Sequence, residues 1–418
     1  MKILVSAFAA LPNAGSEGGV GWRWSEEWAR DHEVVVITDL SRRPAIEAYL
    51  ADHPTTNPRF IYFRPWWLRR LPLNSLTAQV LYQLWQIALL PFVKRLQRVE
   101  QFDLAHHVSY GVFRQPSLMG RAGIPLVFGP VGGGEDAPWA LKASMSRRER
   151  LRELVRSGLN RFARIDPLLR WSLSGCALIL AKTAATARAL PAGFQARTQV
   201  ALEIGTVPRA DVAPRPAVSG RPFRLMYAGR LLGLKGIHLG LGALARAVAR
   251  GVNVELSIVG DGPYERRLRD MAGQLGVGKL VRWARTVPQD ELFAMYRDAD
   301  AVLFPSLHGS SGNVVVEALS FALPVVCLDL GGPADIVTAT SGCVVATAGL
   351  DEHRVIDALA DAIERLARDG ATYEALSAGA LRRAAELDWT AQVERIKTLS
   401  LACVAAPASP LAAEGANG

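Results

Sequence analysis

Long uninterrupted apolar runs are missing from this 418-residue chain. No stretch reaches the ~18 apolar residues that a spanning helix needs, so no transmembrane helix is expected. The nearest candidate, 78–93, is interrupted by Gln83, Gln86 and Pro91. Cysteine is scarce. Cys176, Cys327, Cys343 and Cys403 are the whole set, and they show no metal-ligand spacing. A disulfide framework is therefore not expected, and a reducing compartment is. Cys327, inside the run PVVCLDL, reads as a small buried hydrophobe. Low-complexity sequence is also nearly absent, which excludes a disordered or fibrous chain.

What is present is a globular composition, with 50% of residues apolar. The length is too great for one ordinary core, and two or three domains are expected. The net charge of +9 is unevenly placed. Residues 1–200 hold 26 Lys/Arg against 15 Asp/Glu, a balance of +11; the remainder holds 22 against 24, a balance of −2. A basic half beside a neutral half suggests that the first half meets an anionic surface or ligand, although a basic soluble surface would look the same. The N-terminal MKILVSAFAALPNA has the Lys, the apolar run and the small residues of a signal peptide. It leads straight into GSEGGVG, however, and a first strand followed by a Gly-rich loop accounts for both.

Short apolar runs alternate with helical patterns throughout. ILVSAFA and EVVVITDL read as buried parallel strands with a helix at 18–30 between them, and RFIYFRP, DLAHHV, PLVFGP and ALILAK follow as further strands. The second half repeats the style. FRLMYAG, VELSIVG, VRWAR, AVLFPS and PVVCLD read as strands, with helices at 237–250, 264–275, 291–297 and 314–321. Two successive halves of this kind argue for two Rossmann-like domains, because a parallel sheet needs helices on both faces. The expected division is 1–207 for an acceptor-binding domain and 208–390 for a nucleotide-binding domain. A closing helix at 391–404 is expected to pack back on the first domain, and 405–418 reads as a disordered tail. The seam is placed at 208–222, where Pro, Gly and Ser cluster.

Two insertions in the first half do not look like sheet. Residues 65–97 mix Trp, Leu and Arg, and 146–170 hold eight arginines and three acids at roughly helical spacing. Amphipathic, basic segments suit a membrane surface. The competing reading is a helix packed on its own sheet with a solvated basic face. The shared basic half tilts the reading to membrane contact.

The chemistry-bearing pieces cluster at 227–337. Arg230 and Lys235 follow the strand FRLMYAG in GRLLGLKG, in the crevice position where open α/β sheets bind ligands. A diphosphate suits this pair, since Arg clamps two oxygens and Lys supplies a point charge. Glu317 opens the helical run EALSFALPVV behind the loop HGSSGN, where a carboxylate can accept two ribose hydroxyls. The free N–H groups of the loop and helix start favour an anion. GGP at 331–333 is a further Gly-rich turn at a sheet edge.

This stretch resembles the donor half of a family 4 glycosyltransferase of the GT-B fold. The resemblance implies two Rossmann-like domains facing across a cleft and retention of anomeric configuration. It implies a nucleoside-diphosphate sugar as donor and no metal or other cofactor, because no Asp-x-Asp motif stands in a suitable loop. The Arg and Lys that bind the donor diphosphate fall on Arg230 and Lys235, and the ribose-binding second Glu of the Glu-x7-Glu motif falls on Glu317. The first Glu falls on Gly309. His308, Ser310, Ser311 and Gly312 make up the loop around it. Gly18 and Gly19 resemble the loop that approaches the donor phosphates. A catalytic histidine is placed near the reacting carbon by the strand 103–107. His106 and His107 point to opposite faces by alternation; His107 is taken as the one in the cleft, and a core or loop histidine is the alternative. Glu135 and Asp136, in GPVGGGED, are either sugar contacts or turn residues. The implied function is a cytoplasmic hexosyltransferase, peripheral on the inner face of the plasma membrane. It would act on a glycan or lipid-linked acceptor in polysaccharide biosynthesis, with an anionic membrane surface and no nucleic acid as partner. Two alternatives stand beside it: a non-catalytic member of a glycan assembly complex, which Gly309 permits, and a GT-B sugar-nucleotide epimerase.

Overall fold

The structure is a computed structural model that describes residues 1–14, 16–71, 77–207, 209–309 and 312–405. Its first sheet has seven strands in the order β3-β2-β1-β4-β5-β6-β7. These are β1 (Lys2–Ser6), β2 (Glu33–Asp39), β3 (Arg59–Phe63), β4 (Leu104–His107), β5 (Leu126–Val131), β6 (Cys176–Ala181) and β7 (Thr198–Val200). The second has six strands in the order β10-β9-β8-β11-β12-β13. They are β8 (Phe223–Ala228), β9 (Val254–Val259), β10 (Val281–Ala284), β11 (Ala301–Phe304), β12 (Val325–Leu328) and β13 (Gly342–Val345). All the ladders are parallel. The runs rich in Val, Ile and Leu form them because both faces are covered by helices, so apolar residues are wanted at every position.

Helices α1 (Ser16–Ala29), α2 (Arg43–Asp52), α3 (Ala78–Glu100), α4 (Arg147–Ala163), α5 (Pro167–Leu173) and α6 (Ala184–Ala189) accompany the first sheet. Helices α7 (Ile237–Ala249), α8 (Glu265–Gln274), α9 (Gln289–Asp298), α10 (Asn313–Ser320) and α11 (Gly331–Ile336) accompany the second. Helices α12 (Glu352–Arg368), α13 (Gly370–Glu386) and α14 (Trp389–Ala405) close the chain. The GGP run, expected as a turn, opens α11, and the expected helix at 18–30 begins earlier, at Ser16. The edge strands β7, which reads TQV, and β13, which reads GCVV, are only three and four residues long, which is why pattern reading passes over them.

Helix α14 returns to the first sheet. Val393 and Ile396 are buried in one apolar cluster with Ile3, Val5 and Trp24. Trp389 Nε1 donates to Glu27 Oε1 at 2.9 Å, and Lys397 Nζ lies 2.7 Å from Asp31 Oδ2. The stretch read as a seam is strapped to the second half rather than free. The Arg215 guanidinium donates to the carbonyls of Tyr296, Arg297, Ala299 and Phe321 at 2.7–3.2 Å, using the fixed fork of an arginine to satisfy a helix end.

Strand order reverses beside β1 in the first sheet and beside β8 in the second. Such switch points open a crevice at the carboxyl ends of the strands. The loop after β8 and the loop after β11 therefore face each other over the second sheet, and the loops after β1 and β4 do so over the first. Hydrogen bonds join the two halves: Ala184 N–H donates to Asp335 Oδ2 at 3.0 Å, and Ser144 N–H donates to Glu352 Oε1 at 2.9 Å.

Candidate active site

The loop after β8 carries Arg230 and Lys235 and is held by close backbone packing. Gly236 has φ +65°, and a Cβ there would stand 1.8 Å from the Pro305 carbonyl oxygen. Leu307 N–H donates to the Leu234 carbonyl at 2.9 Å. These contacts clamp the β8 loop to the β11 loop. Gly236→Ala should therefore cost more than the about 1–3 kcal/mol of a left-handed backbone alone. The measurement is thermal unfolding, and an unchanged Tm would contradict the clamp.

Arg230 is exposed and Lys235 half-buried. Neither has an ion-pair partner among the described residues. Burial, and then the neighbouring Arg230 charge, hold the Lys235 ammonium below its ordinary pKa. Its Nζ stands 5.7 Å from the centre of the Phe304 ring. Two adjacent cations without a carboxylate form a site that an anion would relieve. Helix α10 adds to it. The helix starts behind Gly312 with no side-chain cap among the described residues and no acid in its first turn, so its leading N–H groups also favour an anion.

Glu317 lies one turn into α10. Its Oε2 accepts from Tyr296 Oη at 3.2 Å. Burial pushes its carboxyl above the usual range; the Tyr296 hydroxyl and the Arg209 charge oppose that. Arg209 packs its guanidinium 4.2 Å from the centres of both the Phe293 and Phe321 rings. Tyr296 and Arg209 were not anticipated. Tyr296 is one position on an amphipathic helix, and Arg209 lies in the seam, where no periodic pattern marks it.

Ser310 and Ser311 lie outside the described residues. Gly309 precedes them, and its carbonyl accepts from Gly332 N–H at 2.8 Å, which ties the loop to α11. His308 reaches the other half, where its Nε2 lies 3.7 Å from Glu135 Oε2. Burial first, and then the charges of Arg156, Lys235, Lys142 and Arg114, hold the imidazole down to about 3, so it is neutral.

The open choice for Glu135 resolves to a turn residue. Its Oε1 accepts from the hydroxyls of Thr183 and Thr186, both at 2.8 Å, and its Oε2 accepts from Gly133 N–H at 3.0 Å. It is 2% exposed. Asp136 likewise accepts from Lys142 Nζ at 3.1 Å and Ser157 Oγ at 2.8 Å.

On the first sheet, Gly18 and Gly19 lie in the opening turn of α1. A Cβ on Gly19 would stand 2.1 Å from the Ala14 carbonyl, so the loop folds back on its helix only with glycine there. Glu17 beside them accepts from Tyr110 N–H at 2.7 Å.

The two histidines of β4 do point to opposite faces, and neither has exposed surface. Trp28 Nε1–H donates to His106 Nδ1 at 2.8 Å, which leaves His106 Nε2 protonated and donating to the Gly129 carbonyl at 2.8 Å. Burial lowers this ring to about 4. His107 Nε2 lies 2.9 Å from Tyr82 Oη, and burial first, then His106, lowers it to about 3. Tyr82 in turn stacks on Tyr110, with centroids 5.2 Å apart. His107 is thus packed beneath the mouth of the crevice rather than lining it in this structure, because α3 covers the end of β4.

Residues 211–383 match the family model described as glycosyl transferases group 1. Among curated relatives, a D-inositol 3-phosphate glycosyltransferase of Corynebacterium jeikeium is 35% identical over 191 residues, 43% of this chain and 44% of the relative. A putative colanic acid biosynthesis glycosyltransferase, WcaL of Salmonella typhimurium, is 32% identical over 126 residues, 29% of this chain and 31% of the relative. The chain thus spans less than half the length of these curated relatives in the aligned stretch. Whole-chain likeness comes from solved structures. The lipopolysaccharide outer core galactosyltransferase WaaB superposes with a TM-score of 0.63 at 14% identity, over 96% of this chain and 99% of its own. HepE of Anabaena, solved with UDP and glucose, gives 0.56 at 18% identity over 96% and 99%. The fold is GT-B. The two parallel sheets, their switch points and the crevices above them are the halves of that architecture.

Proposed function

We propose that this protein is a retaining glycosyltransferase that moves a sugar from a nucleoside-diphosphate sugar to a saccharide acceptor.

The observation that carries this reading is the pair of cations Arg230 and Lys235, without an ion-pair partner among the described residues, at the switch point of the second sheet. They stand beside helix α10, whose N-cap is Gly312 and whose next turn presents the carboxylate of Glu317. When the bond between the anomeric carbon and the diphosphate oxygen breaks, negative charge builds on the β-phosphate and positive charge on the carbon. Arg230, Lys235 and the α10 N–H groups take up the negative charge, and Glu317 fixes the ribose. The acceptor hydroxyl oxygen bonds to the anomeric carbon on the face from which the diphosphate departs, which keeps the configuration, and its proton passes to the departing β-phosphate oxygen as the nucleoside diphosphate leaves. No metal is assigned a part, since protein cations already face the diphosphate. The group 1 match over 211–383 supports the donor half of this reading, as do neighbours solved with UDP. The basic first half takes the acceptor, in this reading a lipid-linked glycan of polysaccharide biosynthesis met at the inner face of the plasma membrane. His107 acts there through the Tyr82–Tyr110 stack, as a positioning residue.

Gly309 separates this reading from a non-catalytic one. If the loop geometry matches the family, Gly309→Glu is tolerated and shifts sugar preference in a donor-turnover assay. A wild-type protein that binds nucleotide yet turns over no donor, while Gly309→Glu gains turnover, would favour the non-catalytic reading instead.

A further inference from the structure

Helix α4 is inside out. Its face toward the protein is polar. Glu153 meets Lys142 Nζ at 3.6 Å and Arg156 at 3.4 Å, Ser157 donates to Asp136 at 2.8 Å, and Asn160 accepts from Arg114. Glu153, Ser157 and Asn160 are all buried. The face toward solvent is apolar. Leu151, Leu154, Val155, Leu159, Phe162 and Ile165 follow one another at spacings of one, three and four residues, and they are 61, 56, 54, 50, 55 and 72% exposed. Such spacing places them in one stripe along a helix. The stripe continues past the helix end to Leu168 and Trp171, 66 and 45% exposed. A water-soluble helix packs the other way round. Contiguous exposed apolar surface of this kind marks a binding face.

The charges around the stripe name its partner. Arg147, Arg148, Arg152, Arg161, Arg164 and Arg170 are exposed around it. The acids of the segment are turned away or used. Glu149 is held by Ser146 and Tyr264, Glu153 is buried, and Asp166 caps α5 by accepting from Leu168 N–H at 2.9 Å. An apolar stripe framed by cations and free of acids is complementary to an anionic lipid surface, where side chains enter the acyl boundary and arginines meet headgroups. A second copy of the chain would bring the same cations against these.

We propose that the α4–α5 face docks on an anionic lipid bilayer, with Leu151, Leu154, Leu159, Phe162 and Ile165 inserted and the arginines on the headgroups. On this proposal the arginines of the segment frame the docking face, and the apolar residues form it. The inference rests on the proposed transferase reading for its purpose, as it gives the acceptor side a lipid surface, but its test needs no donor.

The experiment is flotation of the full chain with phosphatidylcholine vesicles containing phosphatidylglycerol, against vesicles of phosphatidylcholine alone. Binding to the anionic vesicles is expected, with at least a tenfold loss of partitioning in Leu154→Ser/Phe162→Ser. Arg148→Glu/Arg152→Glu should lose binding to a similar degree, and high salt should weaken wild-type binding by screening the arginines. Nucleoside diphosphate affinity should be unchanged in both variants, which shows that they are folded and leaves the donor site as a separate question. Wild-type protein that floats with neither vesicle would overturn the proposal. So would flotation that both double variants leave intact. A dimer in sedimentation velocity that Leu154→Ser/Phe162→Ser dissociates, without vesicle binding, would assign the face to a second copy instead.

Discussion

Glu317→Ala should lower sugar transfer about 100-fold, the scale on which a small misplacement of reacting groups acts. The carboxylate holds no ion-pair partner within the described residues; its one hydrogen-bonded neighbour is the Tyr296 hydroxyl. It is therefore available to take ribose hydroxyls, and its removal loosens the donor at the end opposite the reacting carbon. The pH dependence follows from its burial. A carboxyl raised above the ordinary range is protonated sooner as pH falls, so donor affinity should be full above that raised value and lost as pH drops through it. Glu317→Gln should abolish this step and leave weak binding at all pH values. Tyr296→Phe should have the smaller effect, because it removes a donor to the carboxylate and not the carboxylate itself. The measurement is transfer rate together with calorimetric donor affinity across pH. Wild-type activity in Glu317→Ala would remove the ribose role.

Arg230→Ala should weaken nucleoside diphosphate binding roughly 10- to 150-fold, the equivalent of about 1.5–3 kcal/mol for a charge-assisted contact. Lys235→Ala should weaken it less, since an ammonium offers a point charge where a guanidinium offers a fork. The Lys235 ammonium is also partly desolvated over Phe304 and held down by burial and Arg230, so removing Arg230 should raise its pKa. Calorimetry with UDP and with GDP reads both effects. Unchanged affinity in both variants would remove the diphosphate assignment.

The second half was the more legible half of this sequence. Its strands are short apolar runs; Arg230 and Lys235 follow β8 within a few residues and Glu317 lies on the first helix after β11, so all three could be placed by counting from a strand end. The crevice loops of the second sheet meet where that counting puts them, with Gly236 against Pro305. What surrounds those residues was not legible. Tyr296 reaches Glu317 from another helix, and Arg209 comes from a segment that looks like a linker. Such partners are set by packing, which leaves no local pattern. The first half was harder for a related reason. Alternation placed His106 and His107 on opposite faces but said nothing of α3, whose Tyr82 covers His107. The arginines of 146–170 drew attention to charge, whereas the side of α4 that packs inward depends on Lys142, Asp136 and Arg114, which come from other parts of the chain. A polar helix face pairs with polar neighbours that only the folded chain assembles.

The most direct measurement is product analysis by mass spectrometry and NMR after the wild-type protein is mixed with nucleoside-diphosphate sugars and lipid-linked saccharides. The account predicts release of nucleoside diphosphate together with an acceptor one sugar heavier, its new linkage keeping the donor's anomeric configuration. Donor bound with Arg230-dependent affinity, but neither consumed nor transferred to any acceptor, would contradict it.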